Sequence, residues 1–236
     1  LQSLLQQTIQ NLDPEIKKRT EQIADIDVIA TDVREFTAID FILPGQLGFS
    51  LLAGSVFGTA FVFFNMRQTL VLKRFFATPV RKEVIVLSEG IARMIFQLLS
   101  AIIIIAIGYY AFDYTLVHGM ATFFQLLALS AIAIMVFMGF GFVISGIAKN
   151  QNVIPIYANL FMFPQYFLSG TFFPKTLLPA GMQAVINYLP LTALNDAMRK
   201  VSFEGMHLGG VQSEIIVLMV WSVVTYAILI KVFKWE

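Results

Sequence analysis

The chain has 236 residues, 58% of them apolar and only 13% charged, with a mean hydropathy of +0.77. These values lie far from those of soluble domains and point to a membrane protein. A net charge of +1 argues against a nucleic-acid binder, and the absence of cysteine excludes disulfides, thiolate metal sites and a cysteine nucleophile.

Residues 1–40 open with Leu1, Leu4, Leu5, Ile9 and Leu12 at helical spacing, break at Asp13-Pro14 and continue as a polar, helix-like run. This segment carries eight acidic and four basic residues. It reads as the tail of an external region, either a solvated stalk or a substrate-gathering domain, and residues 41–236 read as the membrane domain.

Five stretches are apolar over the roughly 20 residues that a bilayer core requires of a helix: 42–64, 91–112, 120–147, 153–173 and 215–233. The third is long enough to tilt. Pro155 and Pro164 are expected to bend the fourth. In the first, Gly54 and Gly58 at four-residue spacing permit a close helix crossing, either within the chain or at a dimer seam.

The connecting loops alternate in basic content, which sets orientation. Arg67, Lys73, Arg74, Arg81 and Lys82, then Lys149, then Lys231 and Lys234 fall on one side, which is therefore cytoplasmic. The opposite loops carry none between Phe112 and Met120 and only Lys175, Arg199 and Lys200 in the longer stretch 174–214. With an odd number of spans, residues 1–40 lie outside. As no signal peptide begins the sequence, a sixth helix is expected upstream of Leu1. The fold class expected is thus an all-α polytopic membrane protein.

The loop at 65–90 has more than charge. Leu70, Lys73, Arg74 and Ala77 share one side of a helix, Val71, Phe75 and Thr78 a neighbouring side, and Phe76 joins them before Pro79 ends it. Such a helix can lie on anionic headgroups or dock a cytoplasmic partner.

The run TLVLKRFFATPVRKEVIV resembles the first cytoplasmic loop of permease subunits in the ABC type-2 export family, through Leu70, Lys73, Arg74, Phe76, Ala77, Thr78, Pro79, Val80, Arg81 and Glu83. An acidic residue and a glycine that often precede this run in the family are replaced by Arg67, Gln68 and Thr69. Three further stretches, LPGQLGFSLL at 43–52, FVISGIAKNQNVIP at 142–155 and the 169–199 segment, resemble that family in the same order. In the last of these, Gly170, Pro174, Pro179, Pro190 and Arg199 match its external signature. The resemblance implies a coupling helix at Leu70, Lys73, Arg74, Phe76, Ala77, Thr78, Pro79 and Arg81 that sits in a groove of an ATPase. It also implies short re-entrant helices in the 174–212 loop, two ATPase subunits holding ATP and magnesium, a second permease subunit, and the inner membrane of a prokaryote.

Other classes fit less well. No glycine in the chain precedes a lysine, so there is no phosphate loop and no cofactor is expected on this chain. His118 and His207 lack carboxylates at metal spacing. An ion-coupled carrier should hold ionisable groups deep in its spans. Here Glu89 and Arg93 fall near one edge of the second span and Asp113 at the outer edge. Asn159, Phe163, Gln165 and Phe167 on the fourth span, with Phe161 and Tyr166, form either a lipid-facing packing set or an aromatic path for an amphiphile. The sequence therefore leads to a permease subunit of an ATP-driven exporter of drug-like or lipid-like molecules, the alternatives being a membrane-anchored assembly protein and an ion-coupled carrier.

Overall fold

The computed structural model describes residues 37–69 and 82–232, all helices and connecting turns. Among the described residues seven α-helices run in order: α1 (Ala38–Gln68), α2 (Lys82–Phe112), α3 (Met120–Ile147), α4 (Ile154–Leu168), α5 (Ala180–Ile186), α6 (Pro190–Ser202) and α7 (Gln212–Val232). Short 3-10 turns precede α4, α5 and α7. The predicted coupling residues Leu70, Lys73, Arg74, Phe76, Ala77, Thr78, Pro79 and Arg81 lie outside the described residues, as does nearly all of the 1–40 segment.

Among the described residues, four segments are long and apolar enough to cross a bilayer: Ala38–Gln68, Leu87–Phe112, Met120–Ile147 and Leu208–Lys231. They contain three of the five predicted spans and most of the last, 215–233. The fourth prediction, 153–173, corresponds to a helix of only 15 residues that stops at Leu168. Gly170 then takes a left-handed φ of +70°, which turns the chain. Pro155 sits in the first turn of α4, where its missing N–H breaks no helical bond, so only Pro164 interrupts the helix interior.

α1 is the axis of the bundle and packs against α2, α3, α4 and α6. Its most apolar window is 56% buried and that of α3 61%, against 17% for α2 and 11% for α7. The first pair is therefore the core, and the outer two offer most of their surface to lipid or a partner. Leu47, Leu51, Leu52, Val56, Ala60 and Phe63 of α1 meet Leu126, Leu129, Ala133 and Phe137 of α3 within one buried cluster.

Lipid tails are as apolar as leucine, so close backbone approach and dispersion must hold such helices together. Small residues provide the approach. A Cβ built at Gly141 of α3 would lie 2.8 Å from the Val56 carbonyl of α1, and one at Gly139 would lie 2.4 Å from Thr225 Oγ1 of α7. Gly54 and Gly58 face Gln97 and Arg93 of α2, so that glycine pair serves packing within the chain.

The first turn of α1 is fixed by Asp40, which is fully buried. Its Oδ2 accepts from the Thr37 N–H at 3.1 Å and the Thr37 hydroxyl at 2.6 Å. Oδ1 accepts from the Thr115 N–H at 3.2 Å, which ties the turn after α2 to the start of α1. A carboxylate here both caps the helix and complements its dipole.

Candidate functional site: the cap over the bundle end and the aromatic face of α4

The segment after α4 folds back over the end of the bundle, and its predicted signature residues have separable tasks. Pro174 precedes the 3-10 turn Lys175–Leu177, Pro179 precedes α5, and Pro190 is the first residue of α6. At each point proline stops one element and presets φ for the next. Gly170 supplies the left-handed turn.

Arg199, in the last turn of α6, holds these pieces together. Its Nη2 donates to the Gly170 carbonyl at 2.6 Å and to the Phe41 carbonyl of α1 at 3.1 Å, and its guanidinium lies over the Phe41 ring at 4.0 Å. Burial works against the Arg199 charge, and Asp196 and Tyr114 nearby offset part of that. Asn195, one turn earlier and fully buried, donates to the Thr171 hydroxyl at 3.0 Å. Thr171 Oγ1 also shares a 2.7 Å hydrogen bond with Ser169 Oγ. Gly45 and Gly48 of α1 make room, because a Cβ at Gly45 would meet the Thr171 carbonyl at 2.7 Å and one at Gly48 would meet Asn195 Oδ1 at 2.3 Å.

A polar cavity of about 510 Å3 opens beside this clamp, lined by Lys175, Asp196, Arg199, Lys200, Glu204 and Glu214 among others. Lys175 pairs with Asp196 and also donates to Asn187 Oδ1 at 3.1 Å. Lys200 pairs with Glu214 at 2.6 Å, and that hydrogen bond raises the Lys200 pKa while burial opposes it. Three cations and three anions line the cavity, so it has a strong local field and no net charge.

The four predicted path residues on α4 do not share a face. Phe163 and Phe167 are exposed, in line with Ile156 and Leu160. Gln165 is 2% exposed and points the other way, where its Oε1 accepts from the Leu191 N–H at 3.2 Å. Leu191 is the second residue of α6, so Gln165 supplies from a neighbouring helix the acceptor that a helix start needs. Asn159 is half-buried between the two faces. Behind α4, Phe161 stacks on Phe140 of α3 at 3.8 Å, and Phe140 meets Trp221 of α7 at 5.5 Å.

At the opposite end of α1 lies a contact that loop charge alone does not reveal. Arg67 Nη1 donates to the Gly146 carbonyl at 3.1 Å and Nη2 to the Ala148 carbonyl at 2.7 Å. These are the unsatisfied carbonyls at the C-terminus of α3, where a cation also complements the helix dipole. Among the described residues no three His, Asp or Glu side chains gather to hold a metal. His118 and His207 instead stack at 5.2 Å.

A polytopic helical bundle with a folded cap over one end is the architecture of a membrane permease. The family model for the ABC-2 type transporter matches residues 7–203, and the chain belongs to that family. It is similar to "ABC transporter G family member 20" of Dictyostelium discoideum, 27% identical over 195 residues, covering 82% of this chain and 26% of that protein. It is similar also to the "Probable multidrug ABC transporter permease YbhR" of Escherichia coli, 22% identical over 161 residues, covering 68% of this chain and 43% of that one. "Nodulation protein J" of Rhizobium leguminosarum bv. viciae is 32% identical over 105 residues, covering 44% of this chain and 40% of that one. The chain thus spans less than half the length of each of these relatives.

Proposed function

We propose that the chain is the membrane-spanning part of an ATP-driven exporter for hydrophobic or amphiphilic molecules. In this reading it pairs with a second permease subunit and with two copies of a separate ATPase that hold ATP and magnesium. The 65–90 loop and the C-terminus face the cytoplasm of a prokaryote, and residues 1–40 face outward. α4, with the turns on either side of it, makes a fifth crossing, and α5 and α6 dip into the outer leaflet as re-entrant helices.

The observation that carries the reading is the continuity of α1. It is one helix of 31 residues, about 46 Å long at 1.5 Å per residue, in which Pro44 removes one backbone hydrogen bond in the second turn. The segment that resembles the coupling helix follows it directly at one end, and the Arg199 clamp grips it at the other. Closure of the ATPases would push on the 70–81 segment, and α1 would carry that displacement to the external cap as a rod. The exposed Phe163 and Phe167 on α4 support an apolar cargo, as does the multidrug description of the Escherichia coli relative.

Reconstitution with the ATPase in sealed vesicles tests this. Export of an amphiphile should require ATP and the partner's phosphate-loop lysine, and should persist when ionophores collapse the ion gradients. Gradient-driven export without ATP would establish an ion-coupled carrier instead, and no movement under either condition would establish an assembly protein.

A further inference from the structure

Between α1 and α2 lies a cavity of about 360 Å3 whose walls include Gly54, Ser55, Gly58, Arg93, Phe96 and Gln97. Gly54 and Gly58 fall one and five residues past the middle of α1, and Arg93 is the seventh residue of the apolar segment Leu87–Phe112 of α2, about 9 Å inside its start. Gly58 is also six residues inside the boundary at Phe64 expected for the first span. Arg93 therefore sits farther into the apolar layer than its place near the start of the second predicted span suggests.

The polar groups of this cavity are incompletely used. Arg93 Nε lies 2.9 Å from Glu89 Oε1 on its own helix. Its Nη1 occupies the space that a side chain at Gly58 would fill, 2.7 Å from an ideal Cβ. The Gln97 amide reaches the Ser50 carbonyl only at 3.4 Å. Ser55 is 2% exposed, and its hydroxyl has no hydrogen-bond partner. A buried serine in a helix ordinarily bonds back to its own backbone, and a hydroxyl left without a partner in an apolar layer is costly. An ionisable residue at this depth is retained chiefly for function. The mouth of the cavity adjoins an apolar stripe on α2, since Phe96, Leu99 and Ile103 fall on one helical face and are 73%, 53% and 58% exposed.

We propose that this cavity binds the acidic headgroup of an amphiphile, with Arg93 and Ser55 as donors and the tail laid along Phe96, Leu99 and Ile103. The guanidinium fork matches phosphate or carboxylate oxygens, and Glu89 engages only its Nε edge. Gln97 and Ser55 add neutral donors suited to the remaining oxygens. Gly58 leaves room for the guanidinium in the seam, and Gly54 leaves room there for the Gln97 amide.

Native mass spectrometry of the purified chain in detergent, with dioleoyl phosphatidic acid and dioleoyl phosphatidylcholine at equal concentration, tests the site. The wild type should retain the acidic lipid about tenfold more, the size of one charge-assisted hydrogen bond. Arg93→Gln should remove that preference, and Arg93→Lys should restore part of it. Ala92→Phe, which narrows the cavity from its edge and leaves the Arg93–Glu89 pair in place, should lower retention even if Arg93→Gln does not fold. Equal retention of the two lipids by the wild type, or undiminished preference in both Arg93→Gln and Ala92→Phe, would overturn the proposal. So would a spontaneous disulfide between two copies of Phe96→Cys, which would show the stripe covered by a second chain. In the complex with the ATPase, retention unchanged by ATP turnover identifies a resident lipid, and release on turnover identifies cargo; either result supports the binding site.

Discussion

Arg199 and Phe41 lie 158 positions apart in sequence, yet the guanidinium of one covers the ring of the other at 4.0 Å and donates to its carbonyl at 3.1 Å. The same nitrogen reaches the Gly170 carbonyl, so one side chain joins the first turns of α1, the turn after α4 and the end of α6. Motion of α1 along its axis cannot leave the cap behind while this clamp holds.

Arg199→Ala is expected to lose about 2 kcal/mol of stability, because it removes charge-assisted hydrogen bonds in a partly buried setting. The melting temperature in detergent should fall, and substrate should no longer stimulate ATP hydrolysis even where the complex assembles. Arg199→Lys should recover little of either, since an ammonium lacks the planar fork that stacks on Phe41 while reaching two carbonyls. A lysine variant with normal stability and coupling would show that only charge matters at this position.

The two faces of α4 should separate by mutation. Gln165→Met keeps the volume but leaves the Leu191 N–H unpaired in a buried place, at a cost of about 1–3 kcal/mol. It should lower thermal stability with little change in which amphiphiles stimulate the ATPase. Phe163→Ala and Phe167→Ala remove exposed rings, so they should change the stimulating set and leave the melting temperature near that of the wild type. The reverse pattern would place Gln165 in the path and the rings in the packing.

At 100° per residue, position 165 falls about 200° from 163, so helical spacing alone separates Gln165 from the two phenylalanines. Grouping them by chemical type concealed it. The helix ends were harder to read. Gly170 and Pro174 are strong punctuation, but the apolar run through Phe172 and Phe173 carries the hydropathy past the true end of α4 at Leu168. Asp40 reads as part of an acidic external tail, whereas it is buried as the cap of α1; Thr37 three residues earlier is the local sign of that cap, and the tie to the Thr115 N–H lies 75 positions away. Arg67 likewise reads as one of several loop charges. The four long helices were legible because length and hydropathy suffice to identify them, while tasks such as capping a neighbouring helix depend on which ends meet in space.

Close approach of α1 and α3 gives a sharper test of packing. A Cβ at Gly141 would press on the Val56 carbonyl, which is backbone and cannot swing aside. Gly141→Ala should therefore destabilise the bundle by about 1–3 kcal/mol through overpacking. Gly181→Ala and Gly209→Ala meet nothing within 4 Å and should be nearly silent. Unfolding curves of the three variants in one detergent decide the matter, and a silent Gly141→Ala would mean that the two helices lie farther apart.

Orientation can be measured directly because the chain has no cysteine of its own. Single cysteines at Thr78 and Asn150 should be shielded from a membrane-impermeant thiol reagent in intact cells, and single cysteines at Thr20 and Gln183 should react. Labelling of Thr78→Cys from outside would reverse the topology and place the 70–81 segment out of reach of any cytoplasmic ATPase.

Arg67 offers the last test, at the end of α1 where the drive is proposed to enter. Its two hydrogen bonds fasten α1 to the final carbonyls of α3, so the two core helices should move together when the following segment is pushed. Arg67→Ala leaves those carbonyls at a helix terminus, next to the interface where water can replace the lost donor, so the loss of stability should be about 1 kcal/mol. Coupling should suffer more. Phe76→Asp in the predicted coupling segment should abolish both co-purification of the ATPase and its stimulation, because it strikes the docking surface. Arg67→Ala should leave co-purification intact and reduce stimulation alone, because it loosens the link behind that surface. Measured side by side, these variants separate docking from transmission. If Arg67→Ala stimulated as well as the wild type, α1 would transmit motion without its tie to α3.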